Sequence, residues 1–398
     1  MAKYGVVLKH FLGAPGATLR HKFLLPTKHL KWEVVLGALL LLILAAGTAH
    51  AVDVGNLEIH GYGFQGVLLS NGNKFALPDS ASNPMSRVDN KGSFDYTNLS
   101  LVFSDRVTPQ DTIWAQLDGN GGGVSLDFSF IDHKFNDNLR ARAGQIKLPT
   151  GLYNDIHDVK FLQLSTVEPF MYFGKLLVHE VYRGAGANYK RDIRLGGSIV
   201  VDVFTGEFVN DHEQQSVNYR TMYGTQLTYN TPLDGLKFVM SALKQQKEEL
   251  DGFGKPTGVH GSEKNYMASV DYVNNSLDLK SEFFYENGAR PLTPTAYSYY
   301  LQAGYTFSDK LTPFARYDYI VTDTYHKGDP AFYQKDVVVG AGYKINSYIS
   351  FKIENHFMNG YAVPTALGHG DLNVDFLAEN PNVKKRWGMT AASVNFIF

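Results

Sequence analysis

Runs of about ten residues in this chain alternate apolar and polar side chains with a period of two, and turn residues separate one run from the next. Leu277, Leu279, Ser281, Phe283 and Tyr285 alternate with Asp278, Lys280, Glu282, Phe284 and Glu286. Ile349, Phe351, Ile353 and Phe357 alternate with Ser350, Lys352, Glu354 and His356. Tyr297, Tyr299, Leu301, Ala303, Tyr305 and Phe307 alternate with Ser298, Gln302, Gly304 and Thr306. Successive side chains of a strand point to opposite faces, whereas a helix returns to one face every three or four residues, so these runs are strands. The connections are of two kinds. Short turns, such as Ser308–Lys310 and Asn346-Ser347, alternate strictly with longer loops at 70–93, 119–123, 147–183, 209–218, 251–265, 288–296, 322–334 and 360–384. That pattern predicts eight loops, seven turns and sixteen strands, the sixth at 184–189 and the tenth at 266–273.

An even number of antiparallel strands, with short turns on one side and long loops on the other, is the topology of a transmembrane β-barrel, with both termini on the short-turn side. The sheet must close on itself, because an unpaired backbone group in lipid costs several kcal/mol. The fold class is therefore all-β, a sixteen-stranded antiparallel barrel. Composition agrees: 26 Phe and 24 Tyr coexist with a mean hydropathy of only −0.20, as expected where apolar positions are diluted by alternation. A soluble propeller would also give many short strands, but its outward positions would be polar. Cysteine is absent, which excludes disulfides, thiolate metal sites, thiol catalysis and covalent c-type haem.

Residues 1–31 carry six Lys/Arg and no acid, the apolar run Val34–Ala46 comes next, and Ala49-His50-Ala51 has the A-x-A form of a cleavage site. This predicts a signal peptide over 1–51, cut after Ala51, and a barrel over 52–398. The 13-residue apolar run falls short of a membrane-spanning helix, which argues against an uncleaved anchor. Removing the segment leaves 31 basic against 38 acidic residues, a formal charge of −7 in place of −2. Such a chain has no basic footprint for nucleic acid. Export and a barrel together place it in a bacterial outer membrane.

The final strand ends Val394-Asn-Phe-Ile-Phe398, with Phe396 and Phe398 on one face. A terminal Phe of this kind resembles the signature of Gram-negative outer-membrane barrels, in which it is read by the barrel-assembly machinery. Residues 139–155 contain Gly144-Gln-Ile-Lys147 and then Pro149-Thr-Gly-Leu-Tyr-Asn154. This stretch resembles the segment after the fifth strand of outer-membrane porins, the sixteen-stranded general or substrate-preferring diffusion channels. The resemblance implies an inward-folded third loop at 147–183, a homotrimer, lipopolysaccharide and membrane lipid as surroundings, and no cofactor.

The physical case for an inward loop stands beside the resemblance. Sixteen strands enclose more space than wall side chains fill. A loop of this length rich in aromatics (Tyr153, Phe161, Phe170, Tyr172, Phe173) is a poor candidate for a solvent-exposed coil. Charge at the constriction then sets selectivity. Loop candidates are Lys147, Asp155, His157, Asp158, Lys160, Glu168, Lys175, His179, Glu180 and Arg183. Wall candidates by alternation are Arg140, Arg142, Lys280, Arg316 and Lys352, with Asp127, Asp271, Asp278, Glu282, Asp318 and Glu354 as inward acids. Arg140 and Arg142 are expected to face Asp155 and Asp158. Gly119-Asn-Gly-Gly-Gly123 lacks the Lys-Ser/Thr of a phosphate loop, and no His pair has helical metal-ligand spacing, so no metal is expected. The leading reading is a passive, non-enzymatic channel for small hydrophilic solutes or ions. The alternatives are a barrel sheathing a partner such as a multihaem cytochrome, and an outer-membrane hydrolase.

Overall fold

The computed structural model describes residues 52–54, 56–77, 87–120, 123–194, 196–209, 217–251, 253–288, 292–366 and 372–398. The expected signal peptide at 1–51 lies outside them. Sixteen strands form the barrel: β1 Leu57–Ser70, β2 Thr97–Arg106, β3 Asp111–Asn120, β4 Gly123–Lys134, β5 Leu139–Lys147, β6 Val181–Asp192, β7 Ser198–Phe208 and β8 Val217–Asn230 in the first half. The second half is β9 Leu236–Leu250, β10 Pro256–Val273, β11 Leu277–Asn287, β12 Ala296–Tyr305, β13 Leu311–Val321, β14 Tyr333–Lys344, β15 Ile349–Gly360 and β16 Arg386–Ile397. Every neighbouring pair is antiparallel, and β16 pairs with β1 from Met389↔Ser70 to Ile397↔Tyr62, which closes the sheet. The expected sixteen strands match these one for one. Val52–Val54 adds a short pairing to the start of β1.

The period-two pattern sorts the two faces as expected. Leu301, Phe357, Val339 and Ile353 stand outward and exposed, while their neighbours Tyr300, Gln302, Val338, Glu354 and His356 are buried inside. Outward tyrosines meet edge to face across strands, Tyr297 with Tyr319 and Tyr299 with Tyr319. Such amphipathic rings suit a membrane–water boundary. At the seam, the Phe396 and Phe398 rings lie over Gly63 and Gly61, where a Cβ would come within 2.8 and 2.1 Å of them. The terminal aromatics thus cover glycines on the first strand.

Three connections differ from expectation. The strand expected at 266–273 begins at Pro256, so the loop expected at 251–265 is reduced to 251–255. Its upper half pairs Lys244↔Lys264 and Lys247↔Gly261. That part stands on ladder hydrogen bonds and carries polar residues on both faces, so it shows no apolar alternation. The loop expected at 119–123 shrinks to two residues, because Asn120 pairs with Gly123. The 360–384 segment contains two short helices, α1 Ala362–Ala366 and α2 Leu372–Glu379. It packs on the first long loop: Asn73 and Lys384 exchange two hydrogen bonds, as do Lys74 and Asn380. Phe75 of that loop also meets Trp387 of β16 edge to face.

Candidate functional site: the loop inside the barrel

The connection 148–180 between β5 and β6 folds into the barrel, as expected for 147–183. Its apolar side chains Tyr153, Val167, Phe170, Met171, Tyr172 and Phe173 join one buried cluster with inward residues of the wall, among them Phe64, Leu68, Met267, Phe284, Tyr300 and Ile320. Burying so much aromatic surface is the main force holding the loop in place. Gly151 makes the crossing possible. Its φ is +70°, and a Cβ there would lie 2.1 Å from the Tyr172 hydroxyl.

Polar wall side chains then read the loop backbone along its length. Lys352 Nζ donates to the carbonyls of Lys160 and Gln163. Glu354 accepts the N–H groups of Thr166 and Val167, each at 2.8 Å. Arg316 donates to Ser165 Oγ at 2.7 Å and to the Val167 carbonyl at 2.9 Å. Asp318 accepts the Phe170 N–H at 2.9 Å, and Glu282 accepts the Leu152 N–H at 2.8 Å and the Tyr172 hydroxyl at 3.0 Å. Cations meet carbonyls and carboxylates meet amides, so these backbone groups of the loop find charged partners. Behind Glu354, His356 lies between Asp336 at 2.6 Å and Glu354 at 3.1 Å.

The opposite wall holds the loop through an acid-rich cluster. Lys147 Nζ lies 2.8 Å from Asp127 and 2.7 Å from Asp158, and it also meets Glu180. Gln116 Nε2 donates to Asp118 and Asp127 at 2.9 Å each. Lys160 pairs with Glu168, and His157 stands among Asp158, Glu168 and Glu180 at 3.3–3.6 Å. Burial alone would lower the His157 pKa, but these carboxylates outweigh it and hold the imidazolium well above its usual range. Burial likewise would raise Glu168, but Lys160 and His157 hold it well below the ordinary carboxylate range. Ligand-type atoms of His157, Asp158 and Glu180, and of Asp118, Asp127 and Asp158, lie within 4.8 Å of one another. Those spacings suit a divalent cation, although the Lys147 ammonium already lies against Asp127, Asp158 and Glu180. Sequence spacing could not find this cluster, because three strands and a loop supply it.

The loop covers the two walls unequally. Arg316, Lys352, Glu282, Asp318 and Glu354 are all buried beneath it. Nearer the short-turn end, Arg140 and Arg142 also face inward but keep side-chain exposures of 44% and 40%, and both donate through Nε to the buried carboxylate of Asp132 at 2.9 Å. Lys237 is 40% exposed and 3.2 Å from Asp271, and Lys280 lies beside Asp278 at 2.5 Å. Asp155 is exposed on the loop, where the charges of Arg142, Lys147 and Lys237 act on it. Asp158 does not share that space: it is held in the Lys147 cluster. Arg183 is on the other face of its strand from Tyr182, bonded to Gln145 at 3.0 Å, so it points outward and not to the constriction. The Lys175 side chain lies outside the described residues.

No family profile matches the chain, and no curated protein sequence does. Solved structures do match. Salmonella typhi OmpF, in a complex with daunomycin, aligns at a TM-score of 0.55 with 12% identity over 88% of this chain and 100% of its own. The outer membrane channel DcaP of Acinetobacter baumannii aligns at 0.51 with 12% identity over 88% and 100%. OmpT, an outer membrane protein of Vibrio cholerae folded in vitro and seen in a trimer form, aligns at 0.51 with 9% identity over 87% and 100%. The closed sixteen-stranded barrel is therefore of the outer-membrane porin type. The likeness at these identities is one of fold.

Proposed function

We propose that this protein is a passive channel of a bacterial outer membrane, through which small hydrophilic solutes or ions diffuse past the 148–180 loop. One observation carries the reading: inward-facing arginines stay about 40% exposed while the loop buries the opposite wall. Ionised side chains with that exposure inside a barrel require water in the lumen. The loop restricts that water-filled space, and its charged fastenings keep it from swinging free. A sheath around a cytochrome needs an empty lumen, and here the chain's own loop occupies it. Transport of this kind needs no cofactor and no chemistry. The trimer form of a structural neighbour supports a homotrimer, and lipid, lipopolysaccharide and the assembly machinery are the surroundings such a barrel meets.

Proteoliposome swelling tests the reading. Vesicles carrying the purified protein are expected to swell in small sugars at rates that fall steeply with solute size. No swelling in any solute by correctly folded protein would contradict it. Hydrolysis of lipid or peptide by the same preparation would favour an enzyme instead.

A further inference from the structure

The pair Arg140 and Arg142 has an arrangement that the loop fastenings do not use. Both side chains project inward from β5, two residues apart, and one buried carboxylate orders both. Asp132 gives one oxygen to each: Oδ1 accepts from Arg140 Nε and Oδ2 from Arg142 Nε, at 2.9 Å in each case. Asp132 is 3% exposed, while the two guanidinium groups reach into solvent. The Phe130 ring lies under Arg142, 5.6 Å from its Cζ, and occupies one face of that guanidinium.

This geometry has two consequences. One carboxylate neutralises one of two guanidinium charges, so the trio keeps a net positive charge. Each arginine uses only its Nε–H on Asp132, which leaves the four N–H groups of its fork without a protein partner among the described residues. Two ordered forks with free N–H edges match the paired oxygens of a carboxylate or a phosphate. Acids stand near as well: Asp155 on the loop, and Asp202, whose Oδ1 accepts from Asn188 at 2.8 Å. They weaken any anion held there and so favour passage over retention.

We propose that Arg140 and Arg142, fixed by Asp132, form a transit site for small oxyanions on the short-turn side of the loop. The inference names a solute class for the proposed channel and rests on that reading. The probe is inorganic phosphate, monitored by ³¹P line broadening on the detergent-solubilised full-length barrel, a readout that does not depend on conduction. Wild type is expected to broaden the signal. Arg140→Gln with Arg142→Gln is expected to weaken binding roughly a hundredfold, the loss of two charge-assisted forks at about tenfold each. Arg140→Lys with Arg142→Lys keeps the charge and removes the fork, so it is expected to weaken phosphate binding while leaving the anion-to-cation permeability ratio near wild type. Equal broadening by wild type and the folded Gln pair, or none by wild type, would overturn the site. Absence of any ion current in bilayers would overturn the channel reading separately.

Discussion

Glu354 on β15 accepts the backbone N–H of Val167 at 2.8 Å across 187 residues of sequence. The same carboxylate takes the Thr166 N–H and one nitrogen of His356. A single buried acid thus joins the barrel wall to the tip of the inward loop.

Replacing that acid removes two amide partners and leaves His356 and Arg316 with less compensation. Glu354→Ala is expected to destabilise the docked loop by about 3 kcal/mol, the scale for breaking a buried charge network. The measurement is hydrogen exchange at 165–170. Protection equal to wild type would show that apolar burial alone holds the tip.

Thr166 Oγ1 and Ser393 Oγ are 2.9 Å apart, and the chain contains no cysteine. Thr166→Cys with Ser393→Cys is therefore expected to form a disulfide on oxidation and to leave single-channel conductance at the wild-type level. Failure of the pair to cross-link would place the loop elsewhere.

Gly151 has a φ of +70° and no room for a Cβ. Gly151→Ala is expected to cost about 1–3 kcal/mol in backbone strain, with the clash against Tyr172 added to it. Limited proteolysis should then cut the 148–180 loop faster than in wild type. An unchanged cleavage rate would contradict the described crossing.

The His157 and Glu168 shifts set opposite limits on pH. His157 has a raised pKa, so its contribution is complete below its unfolded value of about 6.5 and is lost as pH rises through the higher folded value. Glu168 has a lowered pKa, so its contribution is complete above about 4.5 and is lost as pH falls through the lower folded value. The His157 and Glu168 contributions to loop docking are therefore expected to be complete together from about pH 5 to 6.5, with the Glu168 contribution lost in stronger acid and the His157 contribution lost in alkali. Single-channel current noise against pH measures this. His157→Gln should remove the alkaline limb and raise the noise across the plateau.

Much of the barrel was legible because lipid and lumen impose period two on each strand, as in Leu301 against Gln302 and Ile353 against Glu354. The pairing at the loop end of Pro256–Val273 was not legible. There Ser262 and Lys264 stand exposed on one face while the buried Glu263 and Asn265 occupy the other, so both faces are polar and the apolar alternation disappears. Alternation correctly turned Arg316, Lys352, Glu282, Asp318 and Glu354 inward. It could not say that these residues bind loop amides and carbonyls, because a backbone group leaves no mark in sequence. Nor could it find Asp132, His356 or Asp336 as partners, since each meets its neighbour across strands. The inward loop was legible from its aromatics, whereas the positive φ of Gly151 and Gly174 within it was not.

Whether the inward loop narrows a conducting pore is decided by planar-bilayer recording of the purified protein beside a variant in which 155–176 is replaced by a short Gly-Ser linker. Ion conduction by the wild type and a severalfold larger single-channel conductance in the variant are expected. Insertion of folded wild type without any current, or the same conductance in both proteins, would contradict a porin restricted by its own loop.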